Sequence, residues 1–389
     1  MIPFVIITLV TVAIIIYGTM EYWKHQKYLQ SIPIRIHING TRGKSSVTRL
    51  LGAGLRAGGM RTITKVTGTF PRIILPDGSE AVVHRKEKAN ILEQLDIIKY
   101  CAQKKADVLI IECMALQPIY QKITEQQMVK STIGVITNIR LDHLDVMGPC
   151  LDDVAKALCG TVPKRSQLFT SEDRYHAYMK KIAISRKTRF HQSVPETVSD
   201  KDMEGFTYIE HKENVSLALD ICSELGVERS RALAEMKRSI PDEGVLRRYT
   251  VSYANKRIHF YNALAANDPE STLMIWDYIL KNSDSDEHLM LLLNTRKDRQ
   301  DRAIQLVAMM ARLSYDSIGL IGESLDGVIT MCKKQGIPKQ VIHDIGHKPT
   351  LQQYQELCEV SEEKTTILAI GNMGAGGAEL AEYFEQNHH

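Results

Sequence analysis

A chain of 389 residues, 44% apolar and 24% charged, is long for one domain, comfortable for two plus a tail, and apolar enough for a sizeable core. Its net charge of +3 comes without a basic stripe or interleaved aromatics, which argues against a nucleic-acid partner. Seven scattered cysteines with no C-x-x-C spacing exclude a disulfide framework and a zinc site, and they fit a reducing compartment.

Residues 2–20 carry no charge, and nineteen helical residues span roughly 28 Å, about the thickness of a hydrocarbon core. No basic n-region or A-x-A-like cleavage site marks a signal peptide. Tyr17, Tyr22 and Trp23 read as an interfacial belt, and Lys24, His25 and Lys27 follow. The positive-inside rule then predicts a single-pass anchor over residues 1–23 in the cell membrane, with the body in the cytoplasm. Residues 24–31 read as a short linker.

The β-branched strand Ile34, Ile36, Ile38 feeds a glycine turn over 39–43, and Lys44-Ser45-Ser46 opens a helix expected to run to Ala57, stopped by Gly58-Gly59. This order makes a phosphate cradle, because N–H groups of the turn and of the helix N-terminus point at an anion. Gly40 and Gly43 allow close approach, Lys44 can reach β/γ-phosphates, and the Ser45 hydroxyl is placed to ligate Mg²⁺. A full G-x-x-x-x-G-K-[ST] pattern would need glycine at Ile38. Residues 62–69 form a strand ending in a Thr/Gly turn, and 71–80 an excursion with a hairpin turn at Pro76-Asp77-Gly78. A helix over 91–105 precedes the apolar strand 108–111, which ends on Glu112; strand 133–137 ends at Asn138 before the polar loop 140–148.

Helical patterns occupy 152–158, 172–185, 214–225 and 231–239, followed by the breaker Pro241-Asp242-Glu243-Gly244. The alternation then restarts: strand 257–261, helix 271–280, strand 289–294, helix 303–313, strand 317–321, strand 366–370, a glycine-rich turn and a closing helix 378–386. The reading is α/β throughout. A P-loop parallel-sheet ATPase domain (24–243) precedes a smaller, Rossmann-like C-terminal domain (244–389), and ligands should sit beyond the carboxyl ends of the strands.

Glu112, beyond a strand parallel to the phosphate-loop strand, can bind Mg²⁺ directly or through water. His143 is flanked by Asp142 and Asp145, which can orient an imidazole, but Mg²⁺ prefers oxygen ligands. Composition therefore leaves His143 open between metal ligand and loop residue. Asn267 and Asp268 serve either as helix caps or as site residues. The run 294–302, with Arg296 and Arg299, is either a solvated charge run or a grip for a polyanion. For Gly371–Gly377 a structural turn is the preferred reading.

Together these residues resemble the Mur ligase superfamily of ATP-dependent amide ligases. Gly40-Thr41-Arg42-Gly43-Lys44-Ser45-Ser46 resembles its phosphate loop, and Lys65 to Thr69 its second phosphate-side turn. The resemblance implies that Ser45, Glu112 and His143 hold Mg²⁺ (or Mn²⁺), that Asn138 is an active-site residue, and that Asn214 lies on the adenine side. It places Arg247 at the hinge and gives Asn267 and Asp268 roles toward ATP, though in altered register. Leu158, with Lys156 nearby, stands where the superfamily commonly carries a carbamoylated lysine, and the resemblance does not extend to that modification.

The anchor and the longer stretches 36–50, 110–118, 137–149, 262–272 and 294–302 are most similar to ligase subunits of capsular poly-γ-glutamate synthases. That implies ATP-driven activation of a glutamate or polyglutamate carboxylate as an acyl phosphate and its capture by a second glutamate's amine. Lys44 with the Mg²⁺ ligands would neutralise the moving phosphoryl group, and Arg247, Arg296 and Arg299 would grip carboxylates or phosphates. It further implies membrane partner subunits and a homo-oligomer. The rivals are a folylpolyglutamate-type ligase and a membrane-tethered P-loop ATPase driving export.

Overall fold

Pro33 ends the first helix, because the residue before a proline is pushed out of the α region. The computed structural model describes residues 2–67, 71–83, 85, 90–206, 208–241, 246–265, 269–284 and 286–388. Helix α1 (Ile2–Ser31) is longer than the expected anchor and takes in residues 24–31, which are helix rather than linker. Its last turn docks on the body. Leu29 and Ile32 are buried beside Ile97, Ile98 and Val129, and His25 Nε2 lies 2.8 Å from the Met128 carbonyl. Arg35 donates to the Leu29 and Ile32 carbonyls at 3.0 and 2.7 Å, closing the helix C-terminus.

The chain divides into two compact units, Met1–Thr207 with His211–Asp242, and Tyr208–Glu210 with Glu243–His389. The boundary expected at 243/244 lies outside the described residues.

In the first unit, β1 (Ile34–Asn39) leads into α2 (Lys44–Ala57), with Gly58 as its C-cap. Strand β2 (Thr62–Val66) is followed by a hairpin, β3 (Arg72–Ile74) and β4 (Glu80–Val82), tied at its turn by Leu75 and Ser79. Then come α3 (Glu93–Gln103), β5 (Val108–Glu112), α4 (Pro118–Ile123), β6 (Ile133–Ile136), α5 (Leu144–Met147) and α6 (Leu151–Leu158). Strands β7 (Gln167–Thr170) and β8 (Arg189–Gln192) flank α7 (His176–Ser185), and α8 (Asp200–Met203), α9 (Lys212–Glu224) and α10 (Arg229–Arg238) complete the unit. The helix expected from residue 172 begins only at His176, because Glu172 turns back to the loop after β6.

The eight strands lie in the order β4-β3-β2-β5-β1-β6-β7-β8, parallel except for the β2-β3-β4 hairpin edge. Their register sets Ile38 beside Glu112 and Asn39 beside Ile136, so three strand ends converge at one spot. Leu50, Leu51 and Leu55 of α2 pack on Ile36 and Ile38 below and on Leu217, Ile221 and Met236 above. That burial holds the helix, and hence its N-terminus, against the sheet.

The second unit runs β9 (Arg247–Tyr253), β10 (Lys256–Asn262), α11 (Pro269–Asn282), β11 (His288–Thr295), α12 (Gln300–Met310) and β12 (Ser317–Gly322). It ends with α13 (Leu325–Lys334), β13 (Ile342–Asp344), α14 (Thr350–Val360), β14 (Lys364–Ile370) and α15 (Gly377–Gln386). Its sheet order is β13-β12-β11-β14-β10-β9, with only β9 antiparallel.

Candidate active site

Between β1 and α2 the chain turns through Gly40 at φ 134° and Gly43 at φ 77°, conformations that L side chains rarely adopt. Space is refused as well. A Cβ on Gly40 would stand 2.0 Å from Thr137 Oγ1, and one on Gly43 would stand 2.5 Å from Asn214 Oδ1. The cradle is therefore pressed between the residues after β6 and the start of α9.

Residues 137–142 hold the loop in shape. Asn138 Oδ1 accepts the Arg42 N–H at 2.9 Å, and its Nδ2 donates to the Arg42 carbonyl at 3.1 Å. The Thr137 hydroxyl donates to that carbonyl too, and the Thr41 N–H to the Asn138 carbonyl at 3.0 Å. Thr41 Oγ1 exchanges hydrogen bonds with Arg140, and Asp142 lies 3.3 Å from the Arg42 guanidinium. The Asn138 side chain thus meets phosphate-loop backbone, the contact of a positioning residue. The Asn214 side chain closes on Gly43, leaving no room for a Cβ there.

Lys44 Nζ donates to the carbonyls of Gly40 and Thr41 at 2.7 and 3.1 Å, so the ammonium lies over its own loop. Burial lowers its pKa, with nearby Glu112 opposing the shift. Ser45 Oγ donates to Glu112 Oε2 at 3.1 Å, and the same oxygen accepts the Thr67 N–H at 2.7 Å. Ser46 follows in the first turn of α2.

A hydroxyl beside a carboxylate at the lip of a glycine cradle fits a hard divalent cation accompanied by phosphate. Among the described residues no three His, Cys, Asp or Glu side chains converge, so phosphate oxygens and water would have to complete such a shell. His143 caps α5 at φ 48°, its Nε2 being 3.7 Å from Asp142 Oδ2.

Other expected site residues fall elsewhere. The buried Lys65 pairs with Glu93, which also takes Arg85 at 2.7 Å, and burial lowers the Lys65 pKa. Its ammonium is thus committed to an ion pair, not presented as a phosphate ligand. Lys156 is exposed and bound to Asp153, and Leu158 is core. Arg247 opens β9 and pairs with Glu385 at 3.0 Å. Arg296 folds onto Asp298 at 2.8 Å, and the Arg299 N–H bonds the Arg296 carbonyl. Thr69, Asn267 and Asp268 lie outside the described residues.

Sequence reasoning missed three supports. Glu172 accepts the Ile139 N–H at 2.7 Å. Asn294 and Asn372 lock β11 to the glycine turn, where a Cβ on Gly371 would meet the Asn294 carbonyl at 2.2 Å. The buried His37 lies 2.8 Å from Glu125; burial opposes its charge, but Cys113 and Glu125 outweigh it and raise the pKa to about 10. A polar residue in an apolar strand was the available signal for His37.

A glycine-cradled loop at converging strand ends, a Ser–Glu pair at its lip and a second α/β unit define an ATP-dependent amide ligase of the Mur ligase type. The Mur ligase middle domain family matches residues 38–227, and the poly-gamma-glutamate synthase CapB C-terminal domain family matches 248–387. The capsule biosynthesis protein CapB of Bacillus anthracis is 38% identical over 338 residues, 86% of this chain and 73% of its own. The PGA synthase CapB of Bacillus subtilis is 32% identical over 372 residues, 95% of this chain and 94% of its own. The chain belongs to the CapB family of poly-γ-glutamate synthases.

Among solved structures, E. coli FolC in complex with DHPP and ADP is similar at a TM-score of 0.67 and 15% identity, covering 94% of this chain and 92% of that one. A bifunctional folylpolyglutamate synthase/dihydrofolate synthase with Mn, AMPPNP and L-glutamate bound gives 0.68 at 14% identity, covering 93% and 92%. These likenesses extend the shared fold across both units.

Proposed function

We propose that the protein joins glutamates through γ-amide bonds, activating a chain-terminal carboxylate with ATP. The observation that carries the reading is the Ser45 hydroxyl 3.1 Å from Glu112 at the lip of the Gly40–Gly43 cradle, in a chain of the CapB family. The cradle binds the phosphates of ATP, with Lys44 released from the Gly40 and Thr41 carbonyls toward the γ-phosphoryl group. Ser45, Glu112 and His143 hold the Mg²⁺ or Mn²⁺ that, when bound, neutralises charge on the transferring phosphoryl. The carboxylate takes the phosphoryl as an acyl phosphate, releasing ADP; the amine of the next glutamate displaces phosphate and forms the amide. Asn138 and Asn214 keep the cradle in shape, and Arg247, Arg296 and Arg299 are proposed grips for carboxylates.

The apolar window of α1 has a mean hydropathy of 2.1 and no part of it is buried, and the helix is long and apolar enough to cross a membrane. We propose that it anchors a cytoplasmic body beside membrane subunits that export the polymer, and that the protein works as a homo-oligomer.

The test is ADP release by membranes carrying the protein, with and without glutamate, for wild type and Lys44→Ala, with mass spectrometry for γ-linked product. Glutamate-dependent ADP release with a γ-amide product, lost in Lys44→Ala, is expected. ATP turnover that ignores glutamate and leaves no amide would overturn the reading in favour of a tethered ATPase.

A further inference from the structure

A cavity of about 570 Å³ lies in the first unit between α2, the β3–β4 hairpin and α10. That is within the range of about 300–1,000 Å³ typical of small-molecule sites. Arg49, Ala53, Arg56 and Ala57 line it from one face of α2. Asp77 and Glu80 come from the hairpin, and Arg231, Glu235 and Arg238 from α10.

Every carboxylate in this lining has a partner. Arg49 takes Glu80, with Arg72 3.6 Å away, and Arg238 lies 3.7 Å from Glu235. Asp77 accepts the Ser79 N–H and hydroxyl at 2.9 and 2.7 Å. Two guanidiniums are left over. Arg56 Nη1 is buried with no hydrogen-bond partner; Glu235, Glu80 and Asp77 act on Arg56 through their charge without accepting a hydrogen bond from it, and Arg231 is exposed. Leaving a buried N–H group without an acceptor is costly, and a ligand carboxylate would supply one. A planar guanidinium takes a carboxylate in two parallel bonds.

Position adds to the charge argument. From Lys44 to Arg56 is twelve residues along one helix, roughly 18 Å, which an extended γ-linked chain, with five main-chain atoms per residue in place of three, spans in about three residues. We propose that this cavity binds side carboxylates of a glutamate polymer, holding the growing chain several residues behind its reactive end. The inference rests on the ligase reading above. Inorganic phosphate shares the anion chemistry but not the length, and the test separates the two.

The experiment uses full-length protein in detergent with Lys44→Ala as background, so that nothing turns over. A fluorescent γ-linked glutamate hexamer is titrated without nucleotide. Adding Arg56→Gln and Arg231→Gln is expected to weaken hexamer binding about tenfold or more, and lysine at both positions to restore part of it. Pyrophosphate at equal concentration is expected not to displace the hexamer. ADP affinity checks the fold, and should it fall, Ala57→Phe blocks the cavity without removing charge and gives the same readout. Unchanged hexamer affinity in the substituted proteins, or displacement by pyrophosphate, overturns the inference. If wild-type membranes make γ-amide while either result holds, only this inference has failed; if they make none, the ligase reading has failed.

Discussion

Asn138→Ala distinguishes a residue that shapes the phosphate loop from one that acts on the reacting groups. The substitution deletes the bonds at 2.9 and 3.1 Å to the two backbone groups of Arg42. Each is worth about 0.5–1.5 kcal/mol net, and Arg42 is only half-buried, so water can take up part of the loss. The cost of forming the cradle is then about 1–3 kcal/mol, or roughly 5- to 150-fold in ATP and ADP affinity. The loop does not melt, since the Thr137 hydroxyl still holds the Arg42 carbonyl and the Thr41 N–H still bonds residue 138. Isothermal titration with ADP, alongside kcat and KM for ATP, reads the outcome. KM and the ADP dissociation constant should rise together, with kcat changed far less. Asn138→Asp, which keeps the acceptor but loses the donor, should fall between. An Asn138→Ala protein that binds ADP like wild type yet has lost kcat by two or more orders of magnitude would refute the reasoning and make Asn138 a catalytic residue.

Gly40→Ala meets Thr137 Oγ1 at 2.0 Å and the Thr137 backbone nitrogen at 2.9 Å, at a φ of 134°. Strain of about 1–3 kcal/mol is expected as a roughly 5- to 150-fold loss of ADP affinity, and Thr137→Ala should not restore it because the nitrogen stays. Arg35→Ala removes the donor to the carbonyls of Leu29, Ile32 and Lys130; a loss of about 3 kcal/mol should lower Tm by about 6–12 °C and speed amide exchange over residues 24–31. A Tm equal to wild type would remove the cap argument. Burial works to raise the Glu93 pKa, but Arg85 and Lys65 prevail and hold it below its usual 4.5. Its stabilisation is therefore complete above pH 4.5 and lost as pH falls through the lower folded value, so Glu93→Gln should flatten the acid limb of stability against pH, measured by urea melts.

What was legible in the sequence was local. Strand, glycine turn and Lys-Ser at the head of a helix need only neighbouring residues to declare a phosphate cradle, and α2 ends at Ala57 where Gly58 permits it. The hairpin at Pro76-Asp77-Gly78 was readable for the same reason. Residues 24–31 were misread because nothing nearby shows that Leu29 has a buried site; its cover, Ile97, Ile98 and Val129, comes from distant elements. Strand β9 was missed because it lacks a strong apolar run, burying only Tyr249 and Val251 beside β10.

The candidate site divides along the same line. Residue type announced that 137–143 belongs with the phosphate loop, but not what each residue touches there. Asn138 reaches Arg42 across ninety-six positions and Glu172 reaches Ile139 across thirty-three, and only the sheet order brings these pairs together. Lys65 carries the same lesson with the opposite outcome: it stands on β2 beside β5, within the field of Glu112, yet its ammonium is taken by Glu93. A motif thus fixes which residue types are present at a site, while partners distant in sequence decide which of them remain available to a ligand. Arg56 extends that argument beyond the motifs. It is a basic residue in the last turn of α2, and only the buried Nη1 without a hydrogen-bond partner sets it apart.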